Sequence, residues 1–493
     1  MPMNRRQFVG TLSAAGLGLA IAPSMLSAQP AAASKRKRYA IVGTGARYSM
    51  YQDAIEKDYK EHAEIVGFCD ANPGRVELAR ARSAKNGAPV PPGYVAADFA
   101  RMVAETKPDT VIVTTVDATH HLYLVRAMEL GCDVITEKPM TTTADAVQQI
   151  IDTRRRTGRH VRVAMNYRYS PMRSQVKDIL MSGAIGEVRS VDFHWMLNTH
   201  HGADYFRRWH AHKKFSGGLM LHKASHHFDL VNWWLGATPA TVTATGKREF
   251  YTPEMAKRFG LTGPHERCHT CPEQQKCNFR LMLAQSPMNK ALYLDQEHHD
   301  GYFRDRCVFR PDIDIEDTMN LVVGYDNGTT LSYSLNAFNA WEGYTIAFNG
   351  TLGRLEHNNV EQVYGNDPGV VQTEGISTRL IPLRGAARSI TPLPSIGGHD
   401  GGDKPMLDDI FLPSMPADKY LRKSDERGGA ASVLIGIAAN RCFATGQPVK
   451  IADLVTGLTA PDFAPMPARH GPLPMPPRRR AVPRLTALHK SPT

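Results

Sequence analysis

Five short runs of β-type residues alternate with stretches of helical period between residues 38 and 167, and no other feature restricts the fold as much. The runs are RYAIV (38–42), AEIVGFCD (63–70), PDTVIVTTV (108–116), CDVITEKP (132–139) and HVRVAMNY (160–167). LYLVRAMEL and DAVQQIIDTRRR are two of the helical stretches between them. Strands that alternate with helices close into a parallel sheet covered on its faces. Residues 35–166 are therefore expected to form a Rossmann-type parallel α/β domain.

The pattern changes beyond about residue 180. EVRSVDFHWML, TVTATGKREF, MNLVVGYDNGTTLSYSLNAF and YTIAFNGTLGRLEH are longer alternating strands, with an Asn-Gly turn at 327–328. SVLIGIAANRCFATG reads as a late amphipathic helix ending at Gly446. The expectation is an α/β protein: the Rossmann domain, then an α+β domain over 167–458 with a large, mostly antiparallel sheet and helices on one face. A chain of 493 residues fits two domains with appendages. The appendages are a cysteine-containing insertion near 264–308 and a proline-rich basic tail, 459–493, expected to be extended rather than packed.

Arg5-Arg6 precede an apolar run, Val9 to Leu26, and then small residues. This reads as a cleaved Tat-type signal over 1–34, making the Tat machinery a partner and the location periplasmic or otherwise extracytoplasmic. The net charge of +11 is spread out, with clusters only at Lys35–Arg38 and Arg478–Arg480. No nucleic-acid motif accompanies them, so nucleic acid is not an expected partner.

Gly43-Thr44-Gly45-Ala46-Arg47 follows the first strand and opens a helical stretch, with Tyr48 where a GxGxxG turn has its third glycine. The glycines permit a tight turn and close approach of a pyrophosphate. Asp70 ends the second strand, where a carboxylate binds a ribose 2′-hydroxyl and repels a 2′-phosphate, which favours NAD over NADP.

With Thr136-Glu137-Lys138-Pro139 added to that turn, the chain resembles the glucose–fructose oxidoreductase/inositol dehydrogenase (Gfo/Idh/MocA) family. Further matches are Thr115–His120 (TVDATH, against T-P-N-x-x-H), Asn166-Tyr167-Arg168, and Gly217–Asp229 (GGLMLHKASHHFD, against GG-x-L-x-D-x-G-x-H). The resemblance spans about 37–455. It implies an NAD-dependent oxidoreductase of sugars or polyols, commonly homo-oligomeric, with the nicotinamide between the two domains. It also implies that Thr115, His120, Glu137, Lys138, Asn166 and Arg168 join the glycine turn and Asp70 around the cofactor. Two departures matter here: Val116 replaces the proline, and His222 replaces the aspartate four residues before the histidine.

Oxidation of a carbinol carbon needs a group to take the hydroxyl proton, and histidine titrates in the right range. His226 matches the family's catalytic histidine and is the expected general base, with Lys138 orienting the substrate oxygen. His222, four residues before His226 on what reads as one helix face, suits a proton relay, half of a metal-ligand pair, or a structural role. Tyr205, Arg207, Arg208 and Trp209 lie in an apparent loop suited to a polyhydroxylated ligand, or simply to solvent. Cys268, Cys271, Cys277 and Cys307 suit a structural Zn or Fe–S site, two disulfides, or free thiols.

Free NAD is not expected outside the cytoplasm, so an exported enzyme needs cofactor loaded before export and held tightly. A ping-pong sugar oxidoreductase meets that demand. The alternatives are redox-neutral NAD-dependent glycoside cleavage through a transient keto-sugar, with His222 as second acid/base, and a non-catalytic sugar or nucleotide binding protein.

Overall fold

The computed structural model describes residues 36–363 and 375–475; the signal expected over 1–34 and the basic run 478–480 lie outside the described residues. Six strands, β1 (Lys37–Val42), β2 (Ala63–Asp70), β3 (Gly93–Val95), β4 (Thr110–Val113), β5 (Asp133–Thr136) and β6 (Val161–Val163), make a wholly parallel sheet. Their order is β3-β2-β1-β4-β5-β6. Helices α1 (Tyr48–Asp53), α2 (Pro73–Lys85), α3 (Phe99–Thr106), α4 (His120–Glu129) and α5 (Ala144–Thr157) make the crossovers. Ala40, Ile41, Val42 and Val111, Ile112, Val113 are fully buried, as central strands covered on both faces must be. The strand order reverses between β1 and β4, so their carboxyl ends frame a crevice. All five expected strands are present; β3, three residues beside a proline pair, is too short to show a period.

The second sheet has nine strands: β7 (Val188–Asn198), β8 (Pro239–Lys247), β9 (Thr318–Tyr325), β10 (Thr330–Asn339), β11 (Trp341–Gly350), β12 (Gly353–Val363), β13 (Ser377–Pro382), β14 (Arg388–Ile390) and β15 (Val449–Lys450). They run in the order β14-β13-β12-β11-β7-β10-β9-β8-β15. Every pairing is antiparallel except that of β7 with β10. On β10 the alternation is direct: Leu331, Tyr333 and Leu335 are buried while Ser332 faces out. The Asn327-Gly328 turn joins β9 to β10, with Gly328 at φ 77°.

One helix, Glu426–Thr445, packs against both domains. A Cβ at Gly429 would stand 2.7 Å from Val163 Cγ2 on β6, and one at Gly436 would stand 2.6 Å from the Met220 carbonyl oxygen. The helix therefore lies backbone-close to each half. Its C-terminus is capped by Gly446 in the left-handed region. Where the first domain passes into the second, Arg168 makes a two-pronged ion pair with Asp229 (2.7 and 2.6 Å), both residues 1% exposed.

Two expectations change. The proline-rich tail is extended but does not stand clear: Met466 Sδ lies 3.0 Å from Lys177 Nζ, and the His470 amide donates to Glu187 (2.8 Å). Ala464 is buried in the same stretch. The segment HHGADYFR is not a loop but a helix, Thr199–Arg207, capped by the Asn198 side chain accepting from the His201 amide (2.8 Å). Among the described residues no helix is long and apolar enough to cross a membrane.

Replacing Asp229 by asparagine leaves the Arg168 guanidinium buried without its counter-charge. The expected loss is about 3–5 kcal/mol of unfolding free energy, read from the shift of the urea midpoint.

Candidate functional site

The glycine turn is built against the end of β4. Gly43 has φ 91°, and a Cβ there would stand 2.6 Å from the Thr114 carbonyl carbon and the Thr115 nitrogen, so only glycine fits. Gly45 is the opposite case: a Cβ would meet nothing within 4 Å. Its bare backbone faces open space, the cradle a pyrophosphate needs. Tyr48, in the place of the third glycine, begins α1 and sets its buried ring edge-on to Phe68 on β2 at 6.3 Å. Asp70 braces the turn, accepting from the Thr44 amide (2.5 Å) and hydroxyl (3.2 Å) and from the Asn72 amide (2.8 Å).

Glu137 does not face the crevice with a free carboxylate. Its Oε1 accepts from Arg47 Nε (2.7 Å) and the Tyr51 hydroxyl (2.8 Å), so the E-K-P turn and the glycine turn are tied together. His120 bridges the carbonyls of Pro139 (2.8 Å) and Thr115 (3.1 Å), joining the loops after β4 and β5. Asn166 donates to Asp403 (2.7 Å), and Arg168 is spent on Asp229. Several residues expected around the cofactor thus shape its walls through one another.

Lys138 emerges between these loops, with Nζ donating to the His222 carbonyl at 3.4 Å. Burial pushes its ammonium down to about 8, against the pull of Asp117. The side chain of His222 meets Asp117, with Nδ1 2.5 Å from Oδ2. Burial holds the Asp117 carboxyl well above its ordinary range, and burial with the nearby Lys138 charge holds His222 well below its own.

His222 and His226 do not share one helix face. The chain breaks at Lys223–Ala224, between helices Leu219–His222 and Ser225–Leu235, where the Ala224 amide reaches back to the Leu219 carbonyl. His226 instead stacks on Tyr167, centroids 4.1 Å apart, and lies 6.0 Å from the ring of His399. Burial, and then Lys138, hold it well below the ordinary histidine range. His399 and Asp400 both adopt φ 52°, ψ 48°, a left-handed conformation costing non-glycine residues roughly 1–2 kcal/mol each. His399–Asp403 (3.0 Å), Arg173–Asp400 (2.7 Å) and Asn359–Asp400 (2.9 Å) hold them there. Asp117 and His399 escaped the sequence reading. The first was signalled by the aspartate in TVDATH and the second by the glycine-bracketed GGHDGGD.

Tyr205 lies edge-on to His222 at 5.4 Å and bonds His201 through its hydroxyl (3.0 Å), while Trp209 stacks on His210 at 3.5 Å. Both belong to the wall around His222. Arg207 does not: it is buried and donates to the Phe279 carbonyl (2.6 Å) of the insertion. The insertion reaches both ends of the crevice. Arg304 grips Asp204 (2.6 and 2.9 Å) on the helix bearing Tyr205. At the other end Asn72 donates to the Gln296 carbonyl (3.0 Å) and Arg75 pairs with Asp300 (2.9 Å), two to five residues past Asp70.

With this geometry in place, residues 37–165 match the description "Oxidoreductase family, NAD-binding Rossmann fold", and residues 177–451 match "Oxidoreductase family, C-terminal alpha/beta domain". The chain belongs to the Gfo/Idh/MocA family. Within that oxidoreductase family it is 35% identical over 428 residues to YteT of Bacillus subtilis (strain 168), a protein bearing an oxidoreductase's name, covering 85% of this chain and 98% of YteT. Its fold is similar to the aldose-aldose oxidoreductase of Caulobacter crescentus solved with glycerol (TM-score 0.55, 17% identity, 84% of this chain and 100% of that one). It is also similar to an Agrobacterium radiobacter oxidoreductase solved with NAD+, L-tartaric acid and magnesium (TM-score 0.55, 18% identity, 85% and 100%).

Cys268, Cys271, Cys277 and Cys307 line one cavity together with Leu261 and Phe309, and all four are free thiols. Among the described residues no group of three or more His, Cys, Asp or Glu side chains is placed to hold a metal ion, His222 and His226 included. Burial raises Cys268 to about 11 and pushes Cys277 and Cys307 up, so each favours its neutral thiol.

Two expectations follow for this Gfo/Idh/MocA site. Gly43→Ala should fail to accumulate as folded protein, whereas Gly45→Ala should melt like wild type but bind NAD about tenfold more weakly by calorimetry, a cost of about 1.4 kcal/mol. The unfolded chain keeps the Lys138 proton up to about 10.5, while the fold releases it near 8. Burying this lysine therefore weakens the fold below pH 8, and the cost fades as pH rises from 8 to 10.5. Lys138→Met should melt above wild type at pH 7, with a smaller gap at pH 10, and should lose turnover.

Proposed function

We propose that this protein is an exported, NAD-dependent oxidoreductase acting on a hydroxyl of a sugar or glycoside, with its dinucleotide held tightly enough to survive export. The observation that carries the reading is the meeting of the glycine turn with Lys138, whose amine emerges beside His222 where the two domains face each other. The residues present fit the cofactor: Gly45 leaves the cradle open, and Asp70 stands at the ribose end. Thr44, Gly45 and Ala46 would hold the pyrophosphate, Asp70 the ribose, and the loops after β4 and β5 the nicotinamide end. Bound there, a nicotinamide dinucleotide supplies the two-electron acceptor for a carbinol carbon.

The chain's own residues do the rest. Lys138, with its proton loosely held, donates a hydrogen bond to the substrate hydroxyl and stabilises the developing alkoxide. A neighbouring neutral imidazole accepts the hydroxyl proton, and burial is what keeps the site's imidazoles neutral. Tyr205, Trp209 and His399 present flat, hydrogen-bonding surfaces that suit a polyol. The insertion, braced on Asn72 and Arg75 beside Asp70, supports slow exchange of the dinucleotide. The exposed face of the nine-stranded sheet is the proposed contact between copies of the chain.

A second reading, glycoside cleavage with no net redox change, is favoured by one observation. His222 and His226 sit on separate helices with separate partners, as two distinct proton transfers require. The deciding experiment is to purify the secreted form, denature it and identify released nucleotide by mass, then to incubate native protein with sugars and aryl glycosides. NAD on release and a keto-sugar product are expected. Release of the aglycone with deuterium exchange beside the oxidised carbon would move the assignment to the second reading, and protein with no nucleotide and no uptake of NAD would defeat both.

A further inference from the structure

The two imidazoles of the site are held in different ways. His222 Nδ1 lies 2.5 Å from Asp117 Oδ2, and the side chains are 12% and 4% exposed. The carboxylate is thus buried behind a ring that still opens outward. His226 has no such support. Among the described residues its Nδ1 is buried without a hydrogen-bond partner, and its ring lies flat on Tyr167, the planes 11° apart.

A side-chain base works when one nitrogen is fixed by an acceptor, so that the tautomer is set and the other nitrogen is free to take a proton. A carboxylate in that place also stabilises the imidazolium that forms. His222 meets this condition, and His226 does not.

The sequence pattern points to the same pair. Position 117 is asparagine in T-P-N-x-x-H, and position 222 is aspartate in GG-x-L-x-D-x-G-x-H. This chain departs at both, and the two departures, 105 residues apart, are in hydrogen-bond contact. Where those patterns have an amide and a carboxylate, this chain has a carboxylate in the loop and an imidazole on the helix.

We propose that His222, oriented by Asp117, takes the proton from the substrate hydroxyl, and that His226 binds the sugar. The inference rests on the oxidoreductase reading above. On oxidation the O–H bond breaks and its proton passes to Nε2 of His222, while the proton on Nδ1 stays in the bond to Asp117. The carbon loses its hydrogen with two electrons to the nicotinamide dinucleotide, the oxidant by class. The imidazolium that forms pairs with Asp117 and offsets the burial that raises its carboxyl. His222 is the catalytic residue, and Asp117 is a positioning residue. The charged and titratable groups around them are Lys138, Glu137, Arg208, Lys223, His201 and His210.

The test uses the full secreted protein with its dinucleotide. Proton NMR should show a strongly downfield imidazole N–H that survives in His226→Ala and disappears in Asp117→Asn and His222→Ala. On a sugar that turns over, Asp117→Asn and His222→Ala should lose about 10²–10⁴-fold in kcat, whereas His226→Ala should act mainly on KM. His222→Asp alone sets two carboxylates face to face, so Asp117→Asn/His222→Asp should be more active than His222→Asp. An absent downfield resonance in wild type, one unchanged in Asp117→Asn, or a kcat loss confined to His226→Ala would overturn the inference. The NMR signal is read whether or not a sugar is oxidised. Failure of the oxidoreductase reading, seen as protein that neither contains nor binds NAD, is therefore told apart from failure of the dyad.

Discussion

The buried carboxylate of Glu137 is the contact on which the rest of the site depends. One of its oxygens receives both Arg47, from the glycine turn, and Tyr51, from the first helix. A charge so deeply placed is tolerable only because a guanidinium and a phenol hydroxyl share its desolvation cost. The bond fixes the end of β5 against the end of β1. Lys138 is the next residue, so its amine is set relative to the cradle at Gly45 without a long lever. His120 does the same for the loops after β4 and β5 by bridging two carbonyls. The placement of Asp117 follows from that bridge.

Burial then sets the chemistry. Lysines and histidines crowd the crevice, and taking them from water pushes Lys138, His222 and His226 toward their neutral forms. Neutral imidazoles beside a loosely protonated amine are what proton abstraction at neutral pH needs. The same crowding makes the site a place where the fold is weakened for the sake of reaction.

Much of this was legible in the sequence, for physical reasons that differ from element to element. The parallel strands announce themselves because strands buried on both faces are continuous runs of Val and Ile, and the second sheet because one buried face imposes a period of two. Gly43, Lys138 and His226 are marked by short motifs whose spacing along the chain is also their spacing in space. What the sequence hid depends on long-range meeting. Asp117 and His222 are unremarkable until the fold brings them together. Arg168 and Arg207 read as ligand-facing cations, yet each is spent on a buried partner. The four cysteines share a cavity, but spacing along the chain says nothing about whether sulfurs converge. The helical period through 219–235 conceals the break at Lys223–Ala224, because a single irregular turn barely disturbs a hydrophobic pattern.

The helix Glu426–Thr445 has a mechanical consequence. Its glycines press backbone against β6 on one side and against the segment carrying His222 on the other. Enzymes that open and shut by swinging two lobes need a thin, compliant neck between them. Here the neck is a stiff rod seated in both lobes, which resists such a swing. Access to the crevice is then set by the loops that line it, among them the glycine-flanked stretch around His399.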